Sequence, residues 1–116
     1  MRTSPIAFAL VVSLAACAST EIDEYPCPPQ GTRLTYAEFG KGFLDAHCQI
    51  CHGAAGPNRR GAPSSYDFHD HESAKHFRAR IFSRAAADNT TMPPGPDDPP
   101  EEARQKLAEW LACGAP

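Results

Sequence analysis

The sequence predicts a small all-α domain of three to four helices joined by long loops. Three stretches place apolar residues at helical spacing, and no β-branched run of strand length flanks the cysteine pair near the middle of the chain. The 116 residues include 12 prolines and 8 glycines, which separate these stretches. With 11 Lys and Arg against 14 Asp and Glu, the chain is mildly acidic, so we expect no nucleic-acid partner.

The segment ahead of the first predicted helix lacks apolar periodicity. Residues 17–33 are acidic and Pro-rich, so we interpret them as an extended tether that leads into a domain at 34–116. The residues between Cys17 and Cys27 would reach about 30 Å if extended.

Three helices are predicted within the domain. The first begins at Thr35, because Thr-Tyr-Ala-Glu has the form of a capping box, and it runs to about Cys48. The second occupies about 72–87, and the third is capped by Asp98 and ends at Gly114. The apolar positions that predict these helices are Phe39, Phe43 and Leu44, then Ala74, Phe77, Ile81 and Ala85, and last Ala103, Leu107, Trp110 and Leu111.

The most informative motif is Cys-Gln-Ile-Cys-His at residues 48–52, since C-x-x-C-H is the pattern through which haem is attached covalently to protein. In that interpretation the Cys48 and Cys51 thiols each add to one vinyl group, and His52 coordinates the iron. A thioredoxin-like dithiol is disfavoured, because no βαβ pattern surrounds the motif. A zinc site is the other alternative. His69 and His71 would complete its four ligands, but His52 would have no role.

The start of the chain has the composition of a cleaved export signal. Arg2 precedes an apolar run at 6–16 that is shorter than the about 20 residues needed to span a bilayer. Leu-Ala-Ala-Cys at 14–17 resembles the lipobox of bacterial lipoproteins. We therefore predict a lipoprotein signal peptide at 1–16 and a lipid on Cys17, which would anchor the exported protein to a membrane of the cell envelope. An ordinary signal peptide with a chance cysteine is the alternative.

Two cysteines then remain, Cys27 before the first helix and Cys113 at the end of the last. In an exported protein two such thiols are expected to pair, because the compartment is oxidising. We predict a Cys27–Cys113 disulfide, with two free buried thiols as the alternative. The mature chain of 100 residues is one small domain, and we expect a monomer.

Over about residues 35–113 the chain resembles the class I cytochrome c family, particularly its small exported bacterial monohaem members. In that family a small residue eight positions before the first haem cysteine marks the crossing of the first and last helices. Gly40 and Leu44 match the first helix here, and Leu107 and Trp110 match the last. The resemblance implies a small cytochrome c-like fold wrapped around one covalently bound haem c.

The family also implies a second axial ligand, usually a methionine in the loop before the last helix. Met92, within Met-Pro-Pro-Gly, stands in that place and is the only methionine besides the first residue. The alternative is that the Met92 side chain only fills a gap in the apolar core. The competing ligands are four histidines, His47, His69, His71 and His76.

Two further haem contacts are implied by the resemblance. The ligating histidine often donates its second N–H to a proline carbonyl about ten residues further on, and Pro63 is the best match to that position. Arg60 or its neighbour Arg59 would meet the haem propionates, or both would simply be solvated loop residues.

The function implied is outer-sphere electron transfer between redox protein partners, not enzymatic catalysis. Two rivals remain. If Met92 does not ligate, the protein would be a haem-based gas sensor or a peroxidase-like enzyme. If the motif holds no haem, it would be a zinc-binding or interaction lipoprotein.

Overall fold

The computed structural model describes residues 19–56 and 58–116, so the predicted signal peptide at 1–16 and Cys17 lie outside the described residues. The described residues contain helices and no strand, which confirms the all-α prediction. None of their helices has the length and apolar composition that a membrane crossing requires. The elements are a 3-10 turn at Ile22–Glu24, a π-helix at Tyr36–Gly40, α1 at Lys41–His47, α2 at Gln49–His52, α3 at His71–His76, α4 at Arg78–Ala85 and α5 at Glu101–Ala112.

The first helix begins where the capping box predicts. The Thr35 hydroxyl accepts a hydrogen bond from the Glu38 amide at 3.2 Å, which satisfies one of the free donors at the helix start. The opening turn is wider than an α-helical turn, because the Gly40 amide donates to the Thr35 carbonyl at 3.1 Å, five positions back. The chain then continues as α1 and reaches the haem motif at Cys48.

The predicted second helix is two helices instead of one. Asp70 accepts from the Ser73 amide at 2.8 Å and so caps α3, which ends before Phe77. At that break the Phe77 ring packs edge-on against Tyr66 and Phe68, with centroids 5.5 and 5.8 Å apart. The periodicity of apolar residues did not reveal the break, because Phe77 keeps its place on the buried side.

The last helix starts later than predicted. Pro100 is the N-cap residue of α5 and provides no side-chain cap, so the prediction that Asp98 caps it is wrong. The Asp98 carboxylate lies instead 3.6 Å from the Arg104 guanidinium. The helix ends as predicted, since Gly114 has a φ of +94°, a left-handed conformation that glycine adopts without strain.

The core is built where the first and last helices cross. A Cβ atom added to Gly40 would lie 2.5 Å from Cζ2 of Trp110, so only glycine allows this approach. The predicted role of Gly40 at the crossing is thereby confirmed. The five largest of the fully buried side chains in the described residues lie in this core: Leu44, Phe82, Leu107, Trp110 and Leu111.

The lead-in is packed on the domain, so its interpretation as a tether is wrong from about Thr20 onward. Ile22 is only 9% exposed and belongs to the core. The Tyr25 ring meets Phe82 edge-on at 5.7 Å, and its hydroxyl donates to Gln105 at 2.9 Å. The tether was predicted from the absence of periodicity, but two isolated side chains suffice to dock a short segment.

The two ends of the domain are joined covalently. The structure bonds Cys27 to Cys113, the pair predicted from the sequence, with Cα atoms 5.1 Å apart. The disulfide therefore connects the packed lead-in to the end of α5.

The docking of the lead-in is testable by stability. We expect Ile22→Ala to lower the free energy of unfolding by about 2–3 kcal/mol, because it removes a buried side chain from the contact with α4 and α5. Asp23→Ala, an exposed change in the same turn, should stay within about 0.5 kcal/mol of the parent protein. Denaturant unfolding followed by circular dichroism measures both. Equal stability of the two variants would show that the lead-in is not docked in solution.

Candidate haem site

A cavity of about 660 Å³ opens between the C-x-x-C-H segment and the loop before α5. Its volume lies in the range of cofactor pockets. Every residue that the sequence predicts to bind the cofactor lines this cavity, although they come from three separate parts of the chain. They are Cys48, Cys51, His52, Arg60, Pro63 and Met92.

His52, the last residue of α2, is held by its backbone and its ring. Nδ1 lies 2.6 Å from the carbonyl oxygen of Tyr66. A carbonyl only accepts, so Nδ1 carries the proton and Nε2 is left with a free lone pair for a metal. The ring also stacks on Phe68, with centroids 4.7 Å apart and planes 23° apart. The imidazole therefore has a fixed tautomer and a fixed orientation.

The prediction that Pro63 accepts this bond is wrong. The Pro63 carbonyl closes its own turn, since it accepts from the Tyr66 amide at 3.0 Å and from Arg59 at 2.9 Å. The next turn of the loop brings Tyr66 to the imidazole instead. Pro63 still lines the cavity, and its part is to shape the loop that presents the Tyr66 carbonyl.

The same loop is bonded twice more to the haem motif. The Gln49 side-chain amide donates to the Phe68 carbonyl at 2.6 Å, and the Phe68 amide donates to the His52 carbonyl at 2.9 Å. Sequence reasoning missed Gln49, Tyr66 and Phe68 as residues that orient His52. The available signal was the pair of aromatic residues that alternate in an otherwise polar loop after the motif.

The two motif cysteines are separate thiols. Burial, reinforced by the neighbouring Cys51, raises the pKa of the Cys48 thiol to about 12, so it is neutral at physiological pH. Two thiols that line one largely apolar cavity fit the attachment of an apolar macrocycle. Together with the free lone pair of His52, they make the residues present a good match to haem c.

Met92 lines the same cavity from the loop before α5 and is 40% exposed. Its backbone is held on both sides, because its amide donates to the Arg84 carbonyl at 2.8 Å and its carbonyl accepts from Arg104 at 2.8 Å. Among the competing histidines, His47 lines the cavity as well, with its ring packed on Phe43 at 4.9 Å.

The other histidine candidates are placed elsewhere. His71 Nε2 lies 2.8 Å from the Ala115 carbonyl, and its ring stacks on Tyr36 at 4.5 Å. His69 pairs with Asp70 at 3.2 Å. Neither is among the cavity-lining residues, and the same holds for His76. In the described ranges, no group of three or more His, Cys, Asp or Glu side chains is arranged to hold a metal ion, so the alternative zinc ligands are not gathered.

Two neighbouring arginines have different roles in the loop after the motif. Arg59 is committed to the loop itself, since it donates to the carbonyls of Gly53, Ala62 and Pro63 and pairs with Asp67. Arg60 is exposed on the cavity wall. Of the two, Arg60 is the one available to an acidic group of a ligand.

A comparison with known proteins finds a family whose members share this part of the chain. A protein-family model described as "Cytochrome C oxidase, cbb3-type, subunit III" matches residues 36–111, which span the first helix, the motif, the cavity and most of α5. No match was found among the curated proteins or among the solved structures.

Proposed function

Because the chain belongs to the cytochrome c family matched over residues 36–111, and is therefore a haem c electron-transfer protein, we propose that His52 and Met92 are its two axial ligands. The observation that carries the proposal is that both residues line one cavity together with Cys48 and Cys51. When bound, the haem supplies one-electron chemistry between ferrous and ferric iron.

The cavity residues from the C-x-x-C-H segment and from the loop before α5 have complementary roles. Cys48 and Cys51 hold the cofactor by thioether bonds, and the Tyr66 carbonyl orients His52 and increases its basicity through Nδ1. A thioether from Met92 favours the reduced ion and so raises the reduction potential relative to a second histidine. If His52 and Met92 both bind the iron, no coordination position would be left for a substrate, which favours an electron carrier over an enzyme. Arg60 is proposed to meet the haem propionates, since it is exposed at the cavity wall.

The proposal includes a membrane anchor. Cytochrome c domains are typically exported to the periplasm or cell envelope, and we assign a lipid to Cys17 at the end of a signal peptide at 1–16. The Thr20 carbonyl accepts from Asn89 at 3.0 Å, and Thr20 is three positions after Cys17, a separation that spans at most about 10 Å. The domain would then sit directly at the membrane surface, where it exchanges electrons as a monomer with redox protein partners.

Met92 provides the test of ligation. We expect the oxidised parent protein to show the far-red charge-transfer absorption of methionine-ligated haem, a haem stain that survives denaturation, and no carbon monoxide binding in the reduced form. Met92→Leu keeps the volume of the side chain but removes the sulfur, so it should lose the far-red band, bind carbon monoxide and have a lower reduction potential. His47→Gln is the matched control and should retain all three properties of the parent.

Two outcomes would contradict this function. A parent protein that binds carbon monoxide and lacks the far-red band would favour the gas sensor or peroxidase-like enzyme. Absence of covalently bound haem from the exported protein would favour a zinc-binding or interaction lipoprotein.

A further inference from the structure

Arg104 is a buried cation on the apolar side of α5. It is only 4% exposed, and Asn89 at 6% is the other buried polar side chain among the described residues. Its nearest acidic partner, Asp98, lies 3.6 Å away with a side chain that is 61% exposed. A charged group removed from water without a buried counter-ion is costly, so its hydrogen bonds have to compensate.

Those hydrogen bonds converge on the loop that carries Met92. One terminal nitrogen, Nη1, lies within bonding distance of three carbonyl oxygens, at 2.8 Å from Ala85, 3.2 Å from Asn89 and 2.8 Å from Met92. Asn89 extends the network, because its side-chain amide donates to the Phe82 carbonyl at 3.1 Å and to the Thr20 carbonyl at 3.0 Å. The guanidinium thus joins α5, the end of α4 and the Met92 loop at one point.

We propose that Arg104 is a positioning residue for the distal ligand: its planar guanidinium fixes the backbone between Ala85 and Met92, so that the methionine side chain stays directed to the cavity. The inference rests on the proposed His52 and Met92 ligation. The hydrogen bond from the Met92 backbone amide to the Arg84 carbonyl joins the same loop to α4. Lysine cannot replace this arrangement, because its shorter side chain ends before the position of Nη1 and it has no second terminal nitrogen to face Asp98.

The test replaces Arg104 in the intact haem protein. Arg104→Leu should make the Met92 amide exchange with deuterium about tenfold faster or more, because hydrogen bonds to a charged donor are lost from the loop. The Cys48 amide, bonded to Leu44 at 2.8 Å, should keep its exchange rate. The far-red band should weaken and carbon monoxide binding should appear. Lys106→Leu is the matched control, since Lys106 lies on the same helix and pairs at the surface with Glu102.

Several results would overturn the proposal. If Arg104→Leu is not obtained as a haem protein, Arg104→Lys carries the same expectation, since it keeps the charge but its shorter side chain does not reach the three carbonyl oxygens. Parent-like exchange at Met92 and a parent-like far-red band in either variant would overturn the role of Arg104. If neither variant folds, the parent protein provides the test. The Arg104 side-chain protons should give separate, slowly exchanging magnetic resonance signals, and a single averaged signal would contradict the hydrogen bonds from Arg104 to the Met92 loop. A parent protein without the far-red band contradicts Met92 ligation instead, while Met92 amide exchange still reports on the loop.

Discussion

Gly40→Ala is expected to lower the free energy of unfolding by about 1–3 kcal/mol, although alanine favours a helix more than glycine does. The added Cβ would lie 2.5, 2.7 and 2.9 Å from three atoms of the Trp110 indole. The indole has little freedom to move, because it is fully buried and its Nε1 donates to Pro116 at 3.1 Å. The helices would therefore have to separate at their crossing.

Gly42 provides the matched control for this prediction. An added Cβ at Gly42 meets nothing within 4 Å, so Gly42→Ala should stabilise the protein by up to about 1 kcal/mol through helix propensity alone. Denaturant unfolding of both haem-loaded variants, followed by circular dichroism, measures whether each change lowers or raises the free energy of unfolding. Similar stabilisation by both alanines would show that Gly40 does not mark a close contact in solution.

The double substitution Cys27→Ser with Cys113→Ser is expected to reduce stability by about 2–4 kcal/mol. The bond spans 86 positions of the sequence, and releasing so long a loop increases the entropy of the unfolded chain. The haem should remain attached, because Cys48 and Cys51 are untouched. Unfolding midpoints of the double variant should coincide with those of the parent protein under reducing conditions. A double variant as stable as the oxidised parent would contradict the stabilising role of the bond.

The sequence was sufficient to predict the features that depend on local chemistry or on strict spacing. The Thr35 cap follows from a four-residue pattern, and the close approach at Gly40 follows from the resemblance to the cytochrome c family, in which a small residue stands eight positions before the first haem cysteine. The residues predicted to bind the cofactor line one cavity, and their roles there stay predictions. Met92 was the candidate for the second ligand because the family resemblance implies a methionine in the loop before the last helix, and the chain has one internal methionine.

The features that were missed depend on how distant segments meet. Pro63 and Tyr66 both belong to the loop after the motif, and only the path of that loop decides which carbonyl faces His52. The docking of Ile22 depends on a groove between α4 and α5 that no local pattern reveals. Arg104 had a detectable signal, since it lies three, four and seven positions before Leu107, Ala108 and Leu111 on the buried side of α5.

The bond between Cys27 and Cys113 also determines how the molecule bears mechanical load. Their Cα atoms are 5.1 Å apart although 86 positions separate them, so the bond is a short covalent path across the domain. Tension between the lead-in and the segment after α5 has a direct covalent path through two sulfur atoms, so the backbone between Cys27 and Cys113 cannot be drawn out by it. The contacts of Tyr25 and Pro116 with the domain would break first, and the closed loop that contains the haem cavity would not be extended.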